Sequence, residues 1–401
     1  MNMPRLYVLV SLFAVLACPA QAVTLPGWLK FLQPAPKQTT PKVEPKRVSI
    51  GNFTGGTGES ARRALLDELT LAREVRLTNE DPDFVVTGSS VGGRVVGRIV
   101  NRAGKEVMDR TYAAPGLDEN LKAFADDLVF AVTGKPGLAT SRIVFVSDKS
   151  GTKQIYLCDP EGKDLQQVTH HTHGCVSPSL NFDGSAVAYT SYRSGFPVVQ
   201  VLDLGLGWER TVTDTPGSSF GAAFSPNGDR LAMVMSFLGN PEIFVTDLTT
   251  NTAACISDST GAPGSPAWHP DGKQVIFSDD RGDGPRLYVT EVPETNEGEA
   301  KLIRWRAGYS FCADPEFSPD GNSVAFTARV GKELAIVVKG WPNGSSRVVQ
   351  AGGAQHPSWS PDGRYLCYSQ HGTLYVHPVN AGQRRVILNG HGQITEPRWM
   401  K

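Results

Sequence analysis

From residue 139 onward, the chain is patterned in short runs of alternating apolar and polar residues. One representative run, Ser323-Val324-Ala325-Phe326-Thr327, follows Asp314-Pro315-Glu316-Phe317-Ser318-Pro319-Asp320-Gly321. Related stretches precede similar runs at Ser177-Pro178-Ser179-Leu180-Asn181-Phe182-Asp183-Gly184, Ala222-Ala223-Phe224-Ser225-Pro226-Asn227-Gly228, Ser265-Pro266-Ala267-Trp268-His269-Pro270-Asp271-Gly272 and His356-Pro357-Ser358-Trp359-Ser360-Pro361-Asp362-Gly363. The glycines of these turns stand at 184, 228, 272, 321 and 363, a period of 44, 44, 49 and 42 residues. A second alternating run follows each first one (Ile155-Tyr156-Leu157-Cys158, Ile243-Phe244-Val245, Leu287-Tyr288-Val289, Leu374-Tyr375-Val376). A short β-branched stretch such as Arg347-Val348-Val349 then closes the unit. Period-2 alternation predicts half-buried strands, and the Asp-Gly and Asn-Gly pairs predict hairpins in which both turn residues take positive φ. Four strands in about 44 residues, repeated, predict the blades of a β-propeller.

Counting completes the ring. The strand Arg142-Ile143-Val144-Phe145-Val146 lacks an inner segment before it, and the last inner segment, Ile394 to Met400, lacks a strand after it. The two halves complete each other, so the pattern predicts six blades over 139–401, closed by the last strand.

Residues 47–138 carry a different pattern. Val48-Ser49-Ile50 reads as a strand, Ser60 to Arg76 as an amphipathic helix, and 83–88, 94–100 and 106–113 as three strands of a meander. Leu117 to Val132 reads as a second helix. The expected fold class is thus an all-β six-bladed propeller preceded by a small α/β sandwich domain. Gly55-Gly56-Thr57-Gly58-Glu59-Ser60-Ala61 loosely matches a dinucleotide fingerprint. That motif needs a parallel strand–helix–strand unit and an acidic residue beyond it, and neither is expected here.

Composition adds the compartment. Net charge is −1 over 401 residues, which offers no field for nucleic acid. Residues 1–22 read as an export signal: Arg5, the apolar run Leu6 to Cys18, then Ala20-Gln21-Ala22. A lipidation site at Cys18 fits less well, because Leu16 is a poor match. The mature chain is expected to be periplasmic. Residues 23–46 read as an arm in which Pro34, Pro36, Pro41 and Pro45 alternate with Lys37, Lys42 and Lys46. Leu25, Trp28, Leu29, Phe31 and Leu32 form an apolar cluster ahead of these prolines, read either as a remnant packed on the first domain or as a recognition segment. Five cysteines follow the signal (158, 175, 255, 312 and 367), an odd number that does not suggest a disulfide framework.

Candidate chemistry is sparse. Gly217-Ser218-Ser219-Phe220-Gly221 matches G-x-S-x-G, but it enters an inner strand and lacks the strand–turn–helix setting of a nucleophile elbow. The repeated Asp183, Asp271, Asp320 and Asp362 are expected to bond turn backbone rather than calcium. His170, His171 and His173, with His356 and His391, occupy loops before inner strands. They read as solvated loop tips, with a metal site or a protonation-sensitive rim as alternatives. No catalytic constellation and no cofactor is expected.

Asp83-Phe84-Val85-Val86-Thr87-Gly88, the junction Val132-Thr133-Gly134-Lys135-Pro136-Gly137 leading into Ser141 to Ser147, and the six Pro-x-aromatic-Ser-Pro-Asp-Gly blades together resemble the TolB family. The resemblance implies a non-enzymatic periplasmic scaffold of the Tol–Pal system. It would hold a Pal-like peptidoglycan-associated lipoprotein at the propeller mouth and engage a TolA-like inner-membrane protein through its N-terminal segment. The proline-lysine arm departs from the family pattern and bears on the second partner. On this reading the mouth comprises His173, Val176 and Ser177; Ser219 and Phe220; Gly264 and Ser265; Ala313 and Asp314; Gln355 and His356; Thr395 and Glu396. An exported propeller of a peptidase-associated or glycan-binding type is the alternative.

Overall fold

The computed structural model describes residues 44–400, apart from 73, 214, 215, 238, 294–301 and 381. The signal, Cys18, most of the arm and the cluster of Leu25, Trp28, Leu29, Phe31 and Leu32 lie outside the described residues.

The first domain is a five-stranded sheet with two helices. Its strands are β1 (Lys46–Thr54), β2 (Val75–Leu77), β3 (Phe84–Val91), β4 (Arg94–Asn101) and β5 (Glu106–Tyr112), in the order β2-β1-β3-β4-β5. Helices α1 (Gly58–Glu68) and α2 (Leu117–Thr133) pack on the sheet. Val48, Ile50, Leu65, Val86, Ile99, Leu121, Phe124 and Leu128 form the core between the layers.

Two expectations are corrected here. The helix does not run to Arg76. It ends at Glu68, passes through a 3-10 turn at Leu69–Leu71, and the chain returns as edge strand β2. β1 pairs in parallel with both β2 and β3, so β1–α1–β2 is a parallel crossover unit, contrary to expectation, while β3, β4 and β5 form the expected antiparallel meander. The glycines of the turn before α1 still serve the backbone. A Cβ on Gly58 would stand 2.2 Å from the Phe53 carbonyl oxygen, and one on Gly55 (φ 96°) 2.3 Å from that of Ser90.

The second domain is a propeller of six four-stranded antiparallel sheets. Blades two to six span 175–211, 219–255, 262–304, 312–350 and 354–388, each running outward from its inner strand in chain order. Blade one takes three strands from Arg142–Ser147, Gln154–Cys158 and Gln166–Gln167. Its inner strand is the last of the chain, Thr395–Met400, paired antiparallel with Arg142–Ser147. The six inner strands touch one another in a closed cycle. Apolar clusters fill the borders between blades. The one at the closure joins Ile143, Phe145, Cys158, Tyr365, Cys367 and Trp399.

The blade hairpins are corrected in detail. Only the glycine takes positive φ (70° to 77° at Gly184, Gly228, Gly272, Gly321 and Gly363), and its N–H donates to the carbonyl three residues back. This is a type I turn followed by a left-handed glycine, not a two-residue primed turn. The aspartate contributes an acceptor instead. Asp183, Asp271, Asp320 and Asp362 each take the backbone N–H two residues on, at 2.9 to 3.1 Å. Backbone bonding is therefore their role in these turns.

The two domains meet through buried charge. Lys122 of α2, nearly inaccessible, donates from Nζ to Asp159 (3.1 Å) and Asp164 (2.6 Å) of blade one. Asp159 also accepts the backbone N–H groups of Glu161 and Lys163 at 3.0 and 2.8 Å. Arg364 of blade six reaches Glu74 of the first domain and its own neighbour Asp362. Asp126 of α2 accepts the Ala139 and Thr140 N–H groups at 2.7 and 3.2 Å, tying the linker to the helix.

Glu68, which ends α1 at this junction, has its carboxyl raised from 4.5 to about 7. Burial is the main cause, opposed by Lys122 and Lys163 and reinforced by Glu161 and Asp159. The folded state therefore holds this proton more tightly than the unfolded chain. Its contribution to stability is full below pH 4.5 and is lost as pH rises towards 7. Glu68→Gln should be more stable than the parent at pH 8, by about 1 kcal/mol once partial solvation is allowed for. The two should converge near pH 4.5 in urea unfolding. A difference that does not change with pH would refute the assignment.

Candidate functional site: the propeller mouth

A ring of strained residues marks one end of the channel. In five blades the residue before the inner-strand proline is left-handed: Ser177, Ser265, Asp314, His356 and Glu396 have φ between 49° and 54°. Side chains rarely adopt this conformation, and a following proline disfavours it further, at a cost of about 1 kcal/mol or more per residue. The sixth position is Gly221 (φ 64°), in the one blade whose segment lacks the proline. Each left-handed residue produces a register shift in the pairing of its inner strand, which is a β-bulge.

Neighbouring blades bond to one another at these bulges. Ser265 Oγ donates to Asp314 Oδ1 at 3.1 Å, and Thr327 Oγ1 donates to Asp314 Oδ2 at 3.0 Å. Thr327 Oγ1 in turn accepts the His356 N–H at 3.1 Å, and His356 Nε2 stands 3.8 Å from Asp314 Oδ2. His356 Nδ1 lies 3.2 Å from Ser369 Oγ. Across the closure, Glu396 Oε2 accepts the Ser177 N–H at 2.6 Å. In blade three the Gly221 N–H donates to Thr190 Oγ1 at 3.0 Å. These hydrogen bonds join blades four to six and blades one to three at the ring, which carries Asp, His and Glu on blades five, six and one and only Ser, Gly and Ser on blades two to four.

The structure places the expected residues unevenly. Ser177, Ser265, Asp314, His356 and Glu396 form the ring itself. Val176, Gly264, Ala313, Gln355 and Thr395 stand one residue before it, all half-buried, and Phe220 is their equivalent in blade three. Ser219 lies one further back, 3% exposed. Its hydroxyl accepts the Val199 N–H at 2.9 Å and the Thr213 hydroxyl at 3.3 Å, so it belongs to the blade interior. Its place in the pair falls to Gly221. Phe220 is half-buried, pairs across the hairpin with Val234 and packs against the apolar cluster that also holds Phe277. His173 is exposed, and its carbonyl accepts from Gln154 Nε2 at 3.1 Å.

The other histidines separate. His171 Nε2 lies 3.0 Å from Glu209 and 3.2 Å from the Tyr189 hydroxyl, whereas His391 Nδ1 lies 3.0 Å from Lys149 Nζ. Among the described residues no group of three or more His, Cys, Asp or Glu side chains is arranged to hold a metal ion. All five described cysteines are free, and Cys255 alone of them is exposed.

Sequence reasoning missed a second tier. Two residues beyond the ring, Glu316 Oε1 accepts the Trp359 N–H (2.8 Å) and the Ser358 hydroxyl (3.0 Å), while Arg398 approaches Oε2 at 3.9 Å. Burial raises the Glu316 carboxyl and Arg398 opposes the rise. The signal was available, since period-2 alternation puts residue i+2 on the side of residue i.

Together, a two-layer α/β domain and a closed six-bladed propeller with a polarised mouth define a propeller scaffold with a fused N-terminal domain. The TolB β-propeller domain model matches residues 130–401, and the chain belongs to that family. Similar curated proteins include a "Protein TolB homolog" of Chlorobaculum tepidum, 32% identical over 143 residues that make up 35% of this chain and 32% of that one. The "Tol-Pal system protein TolB" of Desulfosudis oleivorans is 31% identical over 133 residues, 33% of this chain and 30% of the relative. These matched segments span about a third of the relatives' length. The crystal structure of TolB from Acinetobacter baumannii superposes with a TM-score of 0.73 over 89% of this chain and 96% of that one. At 21% identity it supports the fold alone. No helix among the described residues is long and apolar enough to cross a membrane.

Proposed function

We propose that this chain is a periplasmic docking scaffold of the Tol–Pal system that holds a Pal-like peptidoglycan-associated lipoprotein at the propeller mouth. In this reading it supports outer-membrane integrity and envelope constriction during division. The carrying observation is the ring of left-handed residues: the fold keeps Asp314, His356 and Glu396 in strained positions at the channel entrance, and such strain gathers at binding sites. Family membership, and the Tol–Pal names of the relatives, supply the partner's class. A TolA-like protein would be met by residues 23–46, through the apolar cluster Leu25, Trp28, Leu29, Phe31 and Leu32 within them.

The mouth presents polar side chains around a half-buried Phe220, which suits a wet protein interface. His356→Ala and Glu396→Gln should each weaken binding of the Pal-like lipoprotein by about 1–2 kcal/mol, the scale of a moderate hot spot. Phe220→Ala is a poorer probe, because its packing in blade three also contributes to stability. Titration calorimetry of the purified pair reads the effect. Unchanged affinity in both mouth variants, with a loss in variants of the opposite propeller face, would move the partner to the other end of the channel.

A further inference from the structure

The outer edge of blade four carries a second candidate site, beside the loop that leads into the inner strand of blade five at Cys312. An open cavity of about 510 Å3 is lined by Arg286, Arg304, Trp305, Arg306 and Tyr309, among others, and lies within the size range of ligand sites. Three guanidinium groups stand here, and among the described residues the carboxylate paired with them is Asp283. Arg286 is committed to the fold, donating to the carbonyls of Gly284 (3.0 Å), Pro285 (3.1 Å) and Ser310 and to Asp283 at 3.2 Å. Arg304 is half-exposed and reaches Asp283 only at 4.0 Å. The exposed Arg306 side chain has no hydrogen-bond or ion-pair partner among the described residues, while its carbonyl accepts from Lys339. Two guanidinium forks are therefore available to an anion, and this geometry suits carboxylates bidentately.

A backbone feature narrows the class of ligand. Ile303–Arg304 is the outermost strand of blade four, paired on its inner side with Arg286–Glu291. Trp305 donates its N–H to Leu287 at 2.8 Å, so antiparallel alternation turns the N–H and C=O of Arg304 to the outer side. No described strand pairs there, and Ile303 is 54% exposed beside it.

We propose that this rim binds an extended acidic segment of a partner protein. The segment adds to the free edge at Arg304, sets its carboxylates on Arg304 and Arg306, and lays an apolar side chain on Ile303. An anionic glycan could use the guanidinium groups but not the edge, and this edge, unpaired among the described residues, is what favours a peptide.

The test uses the full chain and a blocked six-residue peptide of alternating valine and glutamate, read by fluorescence polarisation. Binding is expected, weakening as salt rises, and the lysine counterpart should not bind. Methylating alternate peptide nitrogens should reduce affinity at least tenfold. So should the double variant Arg304→Glu/Arg306→Glu, at unchanged melting temperature, whereas Lys332→Glu elsewhere on the surface should have little effect. No binding at millimolar peptide would overturn the proposal. Equal binding of the methylated peptide or of trigalacturonate would overturn the edge-pairing peptide in favour of a general anion site. Retained binding by the double variant would place the peptide elsewhere.

Discussion

Removal of residues 394–401 is expected to leave a chain with no cooperative native monomer. The last strand is the inner strand of blade one, and its loss strips the Arg142–Ser147 strand of its partner on that side. It also removes Trp399, the largest fully buried side chain of the described residues. Trp399 packs in the closure cluster, donates from Nε1 to Ser141 Oγ at 2.9 Å and from its backbone N–H to Ser358 Oγ at 2.9 Å. Trp399→Ala alone should cost about 3–5 kcal/mol, as expected for truncating a large buried aromatic. The full truncation should cost more, and its open edge should drive self-association. Urea unfolding and light scattering read both effects. A truncated chain that melts like the parent would refute closure by this strand.

Lys122→Met should be the most damaging single change at the domain junction, with a loss of about 3 kcal/mol. The ammonium is held between Asp159 and Asp164, and Asp159 is itself 3% exposed at the side chain. Removing one partner of a buried pair strands the other charge, which is what makes such losses large. Part of the loss should return in Lys122→Met/Asp159→Asn. The amide oxygen can still accept the Glu161 and Lys163 N–H groups, and the carboxylate that remains, Asp164, is half-exposed and 3.5 Å from Arg142. A double variant no more stable than the single one would show that the cost lies in packing of the lysine stem instead.

The blades were legible because each repeat writes the same physical requirement: a turn glycine, an alternating strand and an aromatic at the blade border. Six-fold closure followed from two incomplete halves, Arg142–Ser147 and Ile394 to Met400. Legibility failed where a local signal was shared by two structures. Val75–Leu77 continued a helical period that tertiary pairing with β1 overrode. An Asp-Gly pair fits a primed turn as well as a type I turn with a left-handed glycine. Blade three was read one residue out of register because Ala222 replaces the proline that marks the other segments, which hid Gly221 and promoted Ser219. The junction was beyond reach altogether. Lys122 and Asp159, or Glu74 and Arg364, are brought together only by the packing of two domains.

The uneven ring has a consequence for orientation. A six-fold scaffold with identical residues would offer a partner six equivalent rotational settings about the channel axis. Here Asp314, His356 and Glu396 occupy three consecutive blades, and the opposite arc offers Ser177, Gly221 and Ser265. Each turn of about 60° would bring a partner's charges against a different set, and a mismatch of only about 1.4 kcal/mol already disfavours a setting tenfold. On the proposed reading, a partner docked at the mouth would be held in one rotational setting rather than six, and so at one fixed bearing to the domain packed on blades one and six.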